Sequence, residues 1–235
     1  MSMEILSFDV GIKNLAYCRM DSDKTIKGWG IINLNENPQC MMCLKKPCSK
    51  QSSYYFEEHG KKCYYCSTHI KHKTITDKKV RRKKLNSERD LMNISQICIE
   101  NLKKIEMDNV KFVLIENQPA LKNPVMKSIQ MIIYTFFIMH GVMNDDNNVE
   151  KVHMVNARNK LKVYDGPEIE IPYENNTKNK YKINKYLSIK YTEKMIDKED
   201  DKYKDLFFES KKKDDLADSY LQGIYWLNKN ILKEN

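Results

Sequence analysis

Ile5-Leu6-Ser7-Phe8-Asp9-Val10-Gly11-Ile12-Lys13-Asn14-Leu15-Ala16-Tyr17 carries one apolar run that ends on an acid, then a glycine, then a second apolar run. A carboxylate buried alone is costly, so Asp9 is expected to face an open site. Gly11 permits a tight turn or the close approach of a ligand. Residues 4–10 read as a buried strand, Asn14 to Met20 as a second and Gly28 to Leu34 as a third. The short links between them predict an antiparallel meander.

Beyond residue 34 the composition changes. Residues 35–84 read as an insertion with its own small fold, set into a domain made of residues 1–34 and 85–235. Within it, residues 38–70 hold Cys40, Cys43, Cys48, Cys63 and Cys66 with His59 and His69, and a basic tract runs from Lys71 to Lys84. Ser87, with Asp90 three residues on, is a helix-capping pair. Leu91, Ile94, Ile97, Cys98, Leu102 and Ile105 then recur at helical spacing. Val110 to Ile115 is a nearly continuous apolar run that suits a strand covered on both faces, and it ends at Glu116-Asn117-Gln118-Pro119. Asn123-Pro124 opens a long apolar helix over 124–140 that stops near Gly141. Glu150 to Val155 reads as a further strand, 156–182 as an irregular loop, Asn184 to Ile196 as a helix and 197–213 as an exposed charged stretch. The last helix begins near Asp214, with Leu216, Tyr220, Ile224, Leu227 and Ile231 on one face. Gly223 inside it suggests close packing against the sheet.

The whole chain has 235 residues, a formal charge of +9 and 41% hydrophobic residues, enough for one large domain and its insertion. A basic balance favours an anionic partner, nucleic acid before membrane surface. The segment before Ile5 does not read as a signal peptide, so none is expected, and the longest apolar stretch, Met131 to Met139, falls short of the ~18 residues of a membrane span. A soluble intracellular protein is expected. Cysteines in such a compartment point to metal ligands or thiols rather than disulfides.

Acids gather at the ends of the predicted elements. Asp9 lies in the first strand, Glu116 follows the fourth, and Asp214, Asp215 and Asp218 open the last helix. Asp214 and Asp215 also suit a helix start through the dipole, whereas Asp215 and Asp218 share a helix face. Should the first and fourth strands be parallel neighbours, Asp9 and Glu116 lie side by side. Hard oxygen ligands in an open site suit Mg²⁺ or Mn²⁺. Two such ions about 4 Å apart activate water and stabilise the leaving oxygen in phosphodiester cleavage.

Ser7-Phe8-Asp9-Val10-Gly11-Ile12-Lys13-Asn14-Leu15-Ala16-Tyr17, Ile115-Glu116-Asn117-Gln118-Pro119 and Lys213-Asp214-Asp215-Leu216-Ala217-Asp218-Ser219 together resemble the poxvirus-type Holliday junction resolvases, of the RuvC branch of the RNase H-like superfamily. The resemblance covers most of the chain outside residues 35–84. It implies an α/β fold: an RNase H-like mixed five-stranded sheet flanked by helices, its last two strands parallel to the first. It implies that Asp9, Glu116, Asp215 and Asp218 hold two Mg²⁺ (or Mn²⁺) ions and that four-way DNA junctions are the substrate. It further implies an active-site lysine between the second and third motifs, with Lys185 chosen and Lys182 as the alternative. Cutting two symmetric strands implies a homodimer, with helix 124–140 one possible interface. A large DNA virus acting in host cytoplasm is the implied setting, and no membrane partner is expected.

The insertion departs from compact members of that family. Cys40-Met41-Met42-Cys43 and Cys63-Tyr64-Tyr65-Cys66 form a CxxC pair at a zinc-like separation, with Cys48 and His69 as alternate ligands of a structural Zn²⁺. A polar insertion of this size has little core without metal. Lys79, Arg81, Arg82, Lys83 and Lys84 in the tract, with Lys13 near Gly11, are assigned to DNA phosphates, the alternatives for the tract being a nuclear-type address or a solvated linker. Three other readings compete. A nuclease for RNA–DNA hybrids, or a transposase, would use the same acids. A non-catalytic zinc-finger DNA-binding protein would use the insertion alone. An actin-like ATPase would need a second glycine-rich phosphate loop, which seven glycines and no Asp-Gly-Gly motif do not provide.

Overall fold

In a computed structural model of the chain, residues 2–34, 37–42, 46–85, 91–121, 123–174 and 176–231 are described. In chain order the strands are β1 (Glu4–Asp9), β2 (Asn14–Asp21), β3 (Ile26–Asn33), β4 (Tyr54–Glu58), β5 (Lys61–Tyr65), β6 (Lys83–Lys84), β7 (Val110–Glu116) and β8 (Lys151–Val155). The helices are α1 (Lys73–Thr76), α2 (Leu91–Leu102), α3 (Pro124–Phe137), α4 (Lys180–Met195), α5 (Asp201–Glu209) and α6 (Lys213–Asn230). They form two compact units, Met1–Leu34 with Ser95–Asn235, and Asn35–Ile94. The second unit thus runs past residue 84. The capping pair Ser87 and Asp90 lies outside the described residues, and Ile105 falls beyond the end of α2.

The larger unit is built on a five-stranded sheet of order β3-β2-β1-β7-β8. β1 and β3 run antiparallel to β2, while β7 is parallel to both β1 and β8. This is a mixed five-stranded sheet of the order and strand directions expected from the sequence. β1 is apolar on both sides because both of its faces are covered. On one face Ile5, Met20 and Leu114 pack with Leu216, Tyr220, Leu221 and Ile224 of α6. On the other, the Phe8 ring meets Phe137 of α3 at 5.5 Å between centroids. Gly223 sits where α6 meets the sheet: a Cβ there would lie 2.8 Å from Met20 Cε and 3.4 Å from Ile5 Cδ1.

Two expectations are corrected. The stretch 156–182 is not wholly irregular. Ala157–Val163 forms a 3₁₀ helix opened by Asn156, whose side chain accepts the Arg158 N–H, and α4 already begins at Lys180. The stretch 197–213 is not simply exposed. It holds α5, capped by Asp200 and buried through Tyr203 and Phe207, four residues apart. The charges around those two aromatics hide a helical stripe only two residues deep. The run Pro124–Val142, α3 with a following π turn, is long and apolar enough by length and composition to cross a membrane. Its Ile129, Ile133 and Phe137 are core residues of this unit.

The smaller unit has a three-stranded sheet of order β5-β4-β6. Its core is small: Phe56 stacked on Tyr65 at 5.4 Å, with Met42, Ile70 and Ile75.

Candidate active site

β1 and β7 are parallel neighbours in register, with Phe8 beside Ile115. The next residue on each strand is the acid, so Asp9 and Glu116 emerge together at the C-terminal edge of the sheet. The turn after Asp9 is tight. A Cβ on Gly11 would collide with the carbonyl oxygen of Asn14, so the turn itself excludes any other residue. α6 brings its acids to the same edge because it is pinned at two levels. Trp29 of β3 donates from Nε1 to the Leu216 carbonyl (3.2 Å), and Gln222 donates to Ser7 Oγ (3.0 Å) and the Phe8 carbonyl (3.1 Å). Asp9, Glu116, Asp214, Asp215 and Asp218 all line one cavity of about 450 Å³.

The acids do not share equal roles. Burial pushes the Asp9 carboxyl well above its ordinary range, and the charges of Glu116 and Asp218 and a hydrogen bond with Glu116 push it further. Asp218 is raised by burial too, against the pull of Lys160. Its Oδ2 pairs with Lys160 Nζ at 2.5 Å, while its Oδ1 is buried with no hydrogen-bond partner among the described residues. Asp215 is raised by burial and by Asp214, and accepts from Asn14 Nδ2 at 3.1 Å. Glu116 is held by Gln118, which donates from Nε2 to its Oε2 (2.9 Å). Gln118 is itself held through its backbone N–H by Gln130 Oε1 (2.9 Å). Crowded carboxylates that repel one another, with an orphaned buried oxygen, fit divalent cations bound through hard oxygen ligands.

The two lysines expected at the site sit differently with respect to the cavity. Lys185 lines the cavity, but its ammonium pairs with Asp214 and lies 5.0 Å from the Tyr181 ring centroid. Partial burial presses its pKa down, and Asp214 and Tyr181 outweigh that and hold it above the ordinary value. Lys182 is exposed on α4 and does not line the cavity. The lysine among Asp9, Glu116 and Asp218 is Lys160, in the Ala157–Val163 turn; burial opposes its charge, and those three acids more than restore it. Asn14 and Gln118 fall inside the quoted motifs but drew no role there, and Lys160 and Gln130 did not stand out in the sequence. The one signal was an asparagine cap, Asn156, placed directly after a strand.

In the smaller unit, ligand atoms of Cys40, Cys48, Cys66 and His69 all lie within 4.8 Å of one another. Cys40 Sγ is 3.4 Å from His69 Nδ1, and the His69 N–H points at Cys66 Sγ, also at 3.4 Å. Three thiols and an imidazole fit zinc in a closed site. Cys63 is not of this group, and Cys43 lies outside the described residues. The intervening Tyr64 and Tyr65 belong to extended β5, which carries Cys63 roughly 10 Å along the chain from Cys66 instead of curling both onto one ion. The residues assigned to DNA, Lys13, Lys79, Arg81, Arg82, Lys83 and Lys84, are all exposed. Arg82 donates to the carbonyls of Ile75 (3.1 Å) and Thr76 (3.0 Å) and so closes the end of α1.

Residues 5–120 match the sequence family described as mitochondrial resolvase Ydc2 / RNA splicing MRS1. Uncharacterized protein L451 of Acanthamoeba polyphaga mimivirus is 28% identical, over 96% of this chain and 74% of that protein. The fowlpox virus resolvase, solved with substrate Holliday junction DNA, is 19% identical with a TM-score of 0.49, over 97% of this chain and 99% of that one. The yeast mitochondrial Holliday junction resolvase Ydc2 is 16% identical with a TM-score of 0.49, over 96% of this chain and 79% of that one.

Proposed function

We propose that the chain, whose residues 5–120 match the family of the mitochondrial resolvase Ydc2, is a nuclease that cuts four-way DNA junctions by metal-dependent phosphodiester hydrolysis. The observation that supports the site is the convergence of Asp9, Glu116, Asp215 and Asp218 on one cavity. These four would hold the Mg²⁺ or Mn²⁺ ions, two per site. Divalent ions there supply Lewis-acid activation of water and stabilisation of the leaving 3′ oxygen. Gln118 and Asn14 orient two of the carboxylates before any ion arrives. Lys160, rather than Lys185, is the ammonium that offsets charge on the scissile phosphate. In the absence of cations it neutralises Asp218, and a divalent ion there would free it to turn toward the phosphate.

The enzyme acts as a homodimer in this reading, since paired cuts need two sites. The exposed side chains Met131 and Met139 on and just after α3 offer apolar surface for it. The insertion, residues 35–84, is a structural zinc module that adds DNA affinity, and the mimivirus relative supports a viral source with action in host cytoplasm.

The test is Asp9→Asn with labelled four-way, Y-form, RNA–DNA hybrid and linear substrates in Mg²⁺, Mn²⁺ or EDTA. Junction binding should persist and metal-dependent cleavage should vanish. Wild-type cleavage by Asp9→Asn would overturn the site, and wild-type preference for the hybrid would overturn the substrate.

A further inference from the structure

The net charge of the chain is not spread over it. Fourteen of the 41 Lys and Arg but only six of the 32 Asp and Glu fall in residues 35–94. Nearly all of the +9 therefore belongs to the smaller unit, and the nuclease unit is close to neutral.

Within that unit the three-stranded sheet has two unlike faces. Phe56 and Tyr65 point to the core face, stacked over Ile70 and Ile75. Alternation sends their neighbours to the opposite face. Tyr55 is there, paired across the ladders with Tyr64 on β5 and Lys83 on β6. Lys62, two residues before Tyr64, joins them. Its Nζ lies 5.5 Å from the Tyr55 ring centroid, and that of Lys83 lies 5.7 Å away. The Tyr64 ring closes the row at 6.2 Å from Tyr55. Two ammonium groups are thus gathered around one ring, which attracts both through its quadrupole. The acid on this face is Glu57, exposed and 3.7 Å from Lys83, a pair of the kind that contributes little in water. Lys62 and Lys83 are both exposed.

We infer that this open face, with Lys62 and Lys83 spaced by the Tyr55 ring, is a phosphate clamp for the backbone of a DNA strand. Like charges held together at a surface bind best to a ligand carrying regularly spaced negative charge, which a phosphodiester backbone does. The face differs from the Lys79–Lys84 tract read from the sequence. It needs β5 and β6 to flank β4, and it places Lys62, outside that tract, beside Lys83. Tyr55 is a positioning residue that holds the two ammonium groups beside its ring. The inference rests on the reading of the chain as a DNA-processing enzyme, and gives the smaller unit its part in that work.

The test uses the full chain in its zinc-loaded form and fluorescein-labelled four-way junction and linear duplex DNA. Binding is followed by anisotropy against KCl concentration. Each lost phosphate contact flattens the slope of log K against log salt by about 0.9. Lys62→Ala/Lys83→Ala should therefore flatten it by about 1.8, on junction and duplex alike. Tyr55→Phe, which keeps the ring, should retain the slope, and Tyr55→Leu should flatten it while zinc content stays full. A slope unaltered in Lys62→Ala/Lys83→Ala overturns the clamp, even where wild-type protein cuts junctions. A slope that responds in a protein that cuts no junction upholds the clamp and overturns the resolvase reading. A wild-type protein that binds no DNA overturns both.

Discussion

Lys160 and Asp218 form the ion pair on which the site balances without cations. Three acids share a small space there, and one ammonium offsets only part of their mutual repulsion. Lys160→Gln should lower single-turnover cleavage on the order of 10²–10³-fold, the usual loss when one preorganised charge partner is removed. Lys185→Gln, which breaks a pair with Asp214, should cost far less in the same assay. Asp9 has a pH consequence. Its folded pKa lies well above the ordinary 3.8, so the folded state holds a proton that the unfolded state has lost. Stability from this group is therefore greatest in acid and declines as pH rises from about 4 toward the raised pKa. In EDTA, Asp9→Asn should accordingly gain on wild type as pH rises, measured as the urea midpoint, and should lose the stabilisation that Mg²⁺ gives wild type. Asp9 and Glu116 stood out in the sequence because an acid closing an apolar strand is chemically anomalous. Lys160 did not, because one lysine among many carries no such contrast until the fold sets it beside three acids.

At the scale of elements, α6 is the piece that assembles the site, and its seating depends on small and polar contacts. Gly223 leaves room for Met20 and Ile5, both fully buried. Gly223→Ala gains about 1 kcal/mol of helix propensity and must displace the end of Met20, so it should be close to neutral. Gly223→Leu should lose about 1–3 kcal/mol from overpacking, read as a fall in urea midpoint at constant slope. α3 raises a different question, since its apolar character exceeds what the core takes up. Met131 and Met139 remain exposed. Met131→Glu/Met139→Glu should convert a dimer to monomer in light scattering with the far-UV spectrum unchanged; a persistent dimer would place the interface elsewhere. Periodicity revealed α3 and α6 in the sequence because each has a long apolar stripe. α5 and the Ala157–Val163 turn escaped it because their buried positions are too few to form a repeat.

On the scale of the whole molecule, the two units are stabilised by different means. The larger unit has apolar packing on both faces of a five-stranded sheet. The smaller unit has a few buried side chains and the Cys40, Cys48, Cys66 and His69 group. Zinc chelation should therefore unfold residues 35–94 by hydrogen exchange while β1, β2 and β7 stay protected. His69→Ala and Cys48→Ser should lose bound zinc, and Cys63→Ser should keep it, by metal analysis of the purified protein. The sequence by itself determined the five strands of the larger sheet, the long helices, a cysteine-rich insertion and the placing of Asp9, Glu116, Asp215 and Asp218 at the ends of elements. Those features are local: apolar periodicity, glycine and asparagine at turns, and chemistry-bearing residues in short motifs. Only the tertiary structure decided which lysine meets the acids, which thiols and imidazole meet one another and which lysines share the Tyr55 ring. Such choices depend on strand register, on the extension of β5 and on the seating of α6, and residues far apart in the chain acquire their partners only when those are set.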